Sequence, residues 1–166
     1  MVKVKVCGIT SKEIAEKVCL LGADTLGFLV GFDRKSAPND IPKQIAKEIV
    51  RVADKFSKNT FLLTKEIKAD NVYSLCKYIG NSHVQLLGNI NGNEINIIKS
   101  KLPLLQIVKV IHVTDEKALN LSKKYISYTA VDQLLLDSKV GVKLGGTGLK
   151  HDWRISKKIA KISNKP

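Results

Sequence analysis

Two side chains able to carry proton chemistry stand at matching places in this 166-residue sequence. Cys7 ends the strand-like run Val2–Cys7 and is followed by Gly8-Ile9-Thr10, while Asp137 follows the run Gln133–Leu136 and precedes Ser138. A thiolate can act as a base and a carboxylic acid as a proton donor, so such a pair can move a proton between neighbouring carbons. Each residue also has a plainer reading. Cysteine is commonly a small buried apolar side chain, and position alone favours that for Cys7. An aspartate after a strand is as often a turn former or helix cap. Cys19 and Cys76 fall within helical patterns and read as core. The three cysteines form no CxxC pair, and His83, His112 and His151 stand at no metal-ligand spacing. Neither a disulfide nor zinc is expected, and a reducing cytoplasm fits.

The elements that must position this pair alternate along the whole chain. Strand candidates are Val2–Cys7, Thr25–Val30, Thr60–Leu63, His83–Leu86, Leu104–Val110 and Gln133–Leu136. Amphipathic helical patterns lie between them. In the first, Ile14, Ala15, Val18 and Leu21 share a face, Thr10 and Glu13 form a capping box, and Gly22 stops the helix. The second carries Ile45, Ala46, Ile49, Val50 and Ala53, with Pro42 near its first turn. Further helices are expected about Ala69–Tyr78, Asn93–Lys99, Asp115–Lys124 (capped by Thr114) and Trp153–Ile162. A helix between every pair of strands implies parallel strands joined by right-handed crossovers. Two architectures satisfy this: a doubly wound open sheet and a closed eight-stranded barrel. In both, chemistry sits at the C-terminal ends of the strands, where Cys7 and Asp137 fall. The segment Gly31–Asp40 and the Gly145-Gly146-Thr147-Gly148 stretch follow strands two and six. GGTG matches no phosphate-loop pattern and reads as a mobile loop over a ligand or simply a long connection.

Composition narrows the functional classes. The formal net charge is +13, which first suggests nucleic acid or an anionic surface. However, only Arg34, Arg51 and Arg154 are arginines, the lysines are spread along the whole length, and there are nine Phe, Trp and Tyr together. Guanidinium forks and stacking rings for base recognition are scarce. Solvated lysines that steer an anionic substrate fit better than a nucleic-acid-binding module. No apolar run approaches the roughly 20 residues of a membrane helix, so no membrane association is expected.

Taken together, the motifs resemble the phosphoribosylanthranilate isomerase family of tryptophan biosynthesis. The residues that carry the resemblance are VKVCGIT ending at Thr10, Gly22-Ala23-Asp24 with Leu26-Gly27-Phe28, Val84-Gln85-Leu86, Leu134-Leu135-Leu136-Asp137-Ser138, Gly145-Gly146-Thr147-Gly148 and Asp152-Trp153. They occur in the family's order over nearly the whole chain. The resemblance implies a (β/α)8 TIM barrel with Cys7 as catalytic base and Asp137 as catalytic acid, and substrate binding by Arg34, Gly145, Gly146 and Thr147. It implies an Amadori rearrangement of N-(5-phosphoribosyl)anthranilate to 1-(2-carboxyphenylamino)-1-deoxyribulose 5-phosphate. No metal or organic cofactor is called for, because the iminium formed on ring opening is itself the electron sink.

Three departures from the family pattern stand out. Its arginine before the second helix lies in a pattern like SPR, whereas here Arg34 sits earlier in Asp33-Arg34-Lys35-Ser36-Ala37-Pro38. A guanidinium suits a carboxylate, and Arg34 reads equally well as a substrate ligand and as a solvated loop charge. The family's VQLHG is VQLLG, with Leu87 in place of histidine. Finally, eight strand–helix units need at least about 200 residues, so residues 1–166 are expected to form a single domain of about six units. Such a domain would lack the seventh and eighth barrel strands, whose loops usually hold phosphate. The expectations are therefore an isomerase with little activity as the bare chain, or a remnant completed by another chain or a second copy.

Overall fold

Strand residues of β-branched and large apolar type alternate with helix formers, and each strand–helix pair buries one face against the next. The computed structural model describes residues 2–33, 37–140, 143–144 and 151–166. Its main sheet comprises β1 (Lys5–Cys7), β2 (Thr25–Leu29), β3 (Asn59–Thr64), β4 (His83–Leu86), β5 (Gln106–His112) and β6 (Gln133–Asp137). The helices are α1 (Lys12–Leu20), α2 (Lys43–Lys55), α3 (Ala69–Ile79), α4 (Gly92–Lys101), α5 (Lys117–Ile126) and α6 (Trp153–Ile162). A short antiparallel pair, β7 (Lys139–Val140) and β8 (Lys143–Leu144), forms a separate sheet after β6.

The strand order is β1-β2-β3-β4-β5-β6, all parallel, with each strand beside its successor in sequence. A doubly wound sheet reverses its order at a switch point and carries helices on both faces. Neither feature occurs among the described residues. The order increases without reversal, and successive helices pack on one another, α1 on α2, α2 on α3 and α3 on α4. This decides between the two architectures in favour of six consecutive units of a (β/α) barrel.

The two faces of the sheet follow from register. Paired Cα atoms in a parallel ladder place their side chains on the same side. Cys7 pairs with Gly27, Gly27 with Phe61, and Phe61 with His83. Gln85 pairs with Val108, Val108 with Gln133, and His112 with Asp137. These residues and their i+2 neighbours share the inner face. The opposite face carries Leu26, Phe28, Leu62, Val84, Leu86, Ile107 and Ile111, all buried against Ala15, Ile49, Val72, Ile95 and Ala118 of the helices. The main core thus lies between sheet and helix layer. On the inner face the buried apolar residues are Leu63, Val108 and Val110, a small patch beside the partly covered Leu29 and Phe61.

Several element ends differ from the sequence reading, each for a local reason. The cap of α1 is Ser11 and not Thr10: Ser11 Oγ accepts from the Ile14 N–H at 3.3 Å, and the Ser11 carbonyl accepts from Ala15 at 3.0 Å. For α5, Asp115 and not Thr114 supplies the side-chain bond, its Oδ1 accepting from Lys117 N–H at 2.8 Å. Strand five begins at Gln106, because α4 runs on to Lys101 and Leu104 lies in the exposed turn after Pro103. It continues to His112, where β6 still offers a partner. Among the described residues, no helix is long and apolar enough to cross a membrane.

Candidate active site at the strand ends

Cys7 is the last residue of β1, and the chain turns sharply behind it. Gly8 has φ of +83°, a left-handed conformation that side chains resist, and the Asn39 amide packs where a Cβ would project. The Ile9 N–H donates to the Gly27 carbonyl at 3.0 Å, so β1 stays anchored to β2 past its end. The thiol of Cys7 is exposed on the inner face, unlike a core cysteine. It lies over Gly27, where an added Cβ would stand 2.9 Å from Sγ. Cys19 and Cys76 behave as expected of packing residues, at 4% and 3% exposure. Burial pushes the Cys76 thiol up to about 12, although a long contact from Asn81 opposes it. Neither is poised to react.

Asp137 ends β6, half-buried, and shares the inner face with His112 of β5. Its carbonyl accepts from Val113 N–H at 2.8 Å, which fixes the backbone beneath the carboxyl group. The structure thus puts Cys7 and Asp137 on one face, at the same end of the sheet, on its first and last strands. Arg34, Gly145, Gly146 and Thr147 lie outside the described residues. Among the described residues, no three His, Cys, Asp or Glu side chains come together as a metal site.

Between the two strand edges lie polar inner-face residues that motif reading passed over. Lys5 Nζ donates to Gln85 Oε1 at 3.3 Å and sits 5.0 Å from the centroid of the Phe61 ring. Phe61 stacks on His83 at 4.2 Å between centroids. Burial pushes the His83 imidazole below its ordinary range, with Asp132 opposing, and Nδ1 shares a 2.8 Å hydrogen bond with Ser82 Oγ. A signal for this group existed in the sequence: Lys5 is two residues before Cys7, and His83 and Gln85 alternate with apolar residues within strand four.

Beside Asp137, the His151 imidazole bridges two hydroxyls, Ser138 Oγ at 2.7 Å and Ser156 Oγ at 2.6 Å. This ties the end of β6 to the first turn of α6. At the second departure from the family pattern, Leu87 is half-buried and its N–H donates to the Thr64 carbonyl at 2.9 Å, so its backbone extends the sheet edge. A hollow of about 500 Å³ lies at the opposite end of the sheet between Asn81 and Leu105, remote from Cys7 and Asp137. Enclosure is a poor guide here, because an open sheet face encloses nothing.

Comparison with known proteins places this geometry in a family. A family model described as N-(5'-phosphoribosyl)anthranilate (PRA) isomerase matches residues 4–165. The chain is 34% identical over 167 residues to N-(5'-phosphoribosyl)anthranilate isomerase 2 of Methanosarcina mazei, covering 99% of this chain and 72% of that protein. Its fold matches the phosphoribosyl anthranilate isomerase of Thermococcus kodakaraensis with a TM-score of 0.76 at 22% identity, over 97% of this chain and 74% of that one. It also matches a phosphoribosyl anthranilate isomerase solved with reduced 1-(o-carboxyphenylamino)-1-deoxyribulose 5-phosphate, with a TM-score of 0.68 at 23% identity over 84% and 66% of the two chains.

Proposed function

The chain belongs to the N-(5'-phosphoribosyl)anthranilate isomerase family, and on that premise we propose that its inner sheet face carries out the Amadori rearrangement of tryptophan biosynthesis. The observation that carries the residue assignment is the placing of an exposed Cys7 and a half-buried Asp137 at the same end and on the same face of the sheet. Asp137 donates a proton to the ribose ring oxygen as the C1′–O bond breaks, and the anthranilate nitrogen lone pair forms an iminium. Cys7 then takes the C2′ proton, and the electron pair of that bond flows towards the iminium to give an enolamine. Tautomerisation yields the ketone. One proton enters and one leaves, C1′ is reduced and C2′ oxidised, and no outside electron carrier is consumed.

The proposed ligand is a phosphorylated small molecule with an aromatic carboxylate, as in the related complex solved with a reduced product analogue. Arg34, Gly145, Gly146 and Thr147 are proposed to contact it. The lysine excess serves solvation and steering of this anion, not nucleic-acid binding. Many lysines are already engaged with rings or acids, such as Lys43 and Lys47 over Tyr78 and Lys101 on Asp70. A cytoplasmic setting suits the free thiols.

We further propose that the six strands act within a closed barrel, completed by further sequence, another chain or a second copy. Among the described residues, no strand pairs with the outer edge of β1 or β6. Open parallel edges invite pairing. The β6 edge already accepts one contact, the Leu134 N–H donating to the Pro166 carbonyl at 3.0 Å. The test is isomerase turnover of the purified chain with and without a two-strand C-terminal segment from a full-length relative, with oligomeric size measured alongside. Turnover should rise when the segment is added. Full activity from the unassisted monomer would overturn the completion proposal, and no turnover from a closed barrel would overturn the catalytic one.

A further inference from the structure

We propose that Lys5 is a positioning residue for Cys7, its ammonium serving as the counter-charge that holds the Cys7 sulfur as an anion on the inner sheet face. The proposal deepens the proton-transfer reading and depends on it for its purpose, but it can be tested without turnover. The two side chains share the space over Gly27. A Cβ placed there would stand 2.9 Å from Cys7 Sγ and 3.3 Å from both Cε and Nζ of Lys5. Groups this close to a common point fall within about 4–6 Å of each other, the range over which an opposite charge favours an ionised group.

The surroundings of the ammonium strengthen the argument. Its described contacts are a neutral amide oxygen, Gln85 Oε1 at 3.3 Å, and the face of the Phe61 ring at 5.0 Å. Both orient a cation and neither carries a full negative charge, so the charge of Lys5 is left for the thiol beside it. Gly27 is part of the device, since any side chain there would push sulfur and ammonium apart. The other titratable groups on this face are His83, one ring beyond Phe61, and His112 and Asp137 on the far strands. Strands β2 and β3 present only Thr25, Gly27, Leu29, Asn59, Phe61 and Leu63 to the pair. Lys5 is therefore the nearest described charge on that face.

The experiment is alkylation of Cys7 in the full chain, followed by mass spectrometry. Cys7 is exposed while Cys19 and Cys76 are buried, so the reaction reports on one thiol and the other two report on folding. In Lys5→Met, reaction with iodoacetamide near pH 7 should slow by about threefold to tenfold. The difference should vanish well above pH ~8.5, where an ordinary thiol ionises unaided. Lys5→Arg should recover most of the rate. Lys5→Met reacting at the wild-type rate near neutrality would overturn the proposal, as would a slowing that persists at high pH, which would indicate lost access. Should Lys5→Met expose Cys19 or Cys76, the wild-type chain decides alone. Its reaction with neutral iodoacetamide near pH 7 should slow with added salt, which screens the ammonium from the sulfur, and a salt-independent rate would overturn the proposal. Charge-assisted alkylation in a closed barrel without isomerase turnover would reject the catalytic reading and leave the Lys5–Cys7 pairing standing.

Discussion

The two faces of one sheet differ more than any two strands do. Looking outward, Leu26, Phe28, Leu62, Val84, Leu86, Ile107 and Ile111 are sealed beneath helices. Looking inward, the same strands present Lys5, Cys7, His83, Gln85, Gln133 and Asp137, with Leu135 still 38% exposed. Stability is concentrated on the outer face and chemistry on the inner. The period of two lets one strand serve both, because neighbouring residues never compete for the same side. Besides the buried hydroxyls of Thr60 and Thr64, the outer face takes in a charge at Lys109, which is 3% exposed. Its ammonium donates to the carbonyls of Leu86 at 3.1 Å and Val110 at 2.7 Å and lies over the Tyr125 ring.

The comparison is sharpest where activity and stability can be separated. In a closed barrel, Cys7→Ser and Asp137→Asn should each lower turnover by about 10²–10⁴-fold, the usual worth of a positioned acid or base. Their urea midpoints should stay close to wild type, because neither side chain is packed in the outer core. A mutant that keeps turnover but unfolds more easily would move its residue from the chemical to the structural face.

An outer-face change should do the reverse. Phe28→Ala should cost about 3–5 kcal/mol through lost burial and the cavity left behind. Urea denaturation would measure this, with Cys7 alkylation of the remaining folded chain unchanged.

Lys109 tests the exception. Burial lowers its ammonium from the ordinary value of 10.5 to about 8. Between those limits the unfolded chain binds more protons than the folded one, so stability should rise as pH is raised from about 8 towards 10.5. The gain is of the order of 2 kcal/mol. Lys109→Met should flatten this rise in pH-dependent unfolding and be neutral or stabilising at pH 7, because it removes a buried charge while keeping most of the volume. The smallest effect is expected at Leu135→Ala, within about 1 kcal/mol, since its inner-face position is only partly covered. A cost as large as that of Phe28→Ala would show that the inner face is packed by something else in solution.

Much of this was legible beforehand. The six strands and six helices, the parallel sheet and the strand-end location of Cys7 and Asp137 follow from periodicity and from the rule that chemistry sits at strand ends. Periodicity alone leaves the choice between open and closed architecture undecided, because it says nothing of strand order; only the resemblance of the motifs to a barrel family points to the closed form. The side-chain bonds at the starts of α1 and α5 come from Ser11 and Asp115, one residue after the Thr that the pattern points to, since neighbouring Thr and Ser or Asp satisfy the same pattern and only backbone geometry selects between them. Lys5 stands within VKVCGIT, whose spacing alone assigns it no role. Its meaning depends on Gly27 and Gln85, which are distant in sequence and adjacent only once the strands are in register.

The uninterrupted strand order also shapes how the chain reaches this form. Each new strand of the six finds its partner one helix back, so the separations closed between them remain short, and only the outer edges of β1 and β6 are left to a later partner. Assembly can proceed like addition to a growing end: a helix forms, folds back, and lays the next strand on an edge already made. The entropy lost at each step is that of one short loop, instead of one that lengthens with the chain. Such a molecule suits synthesis from the N-terminus, in which the Cys7 end is built first and serves as the template for every later strand.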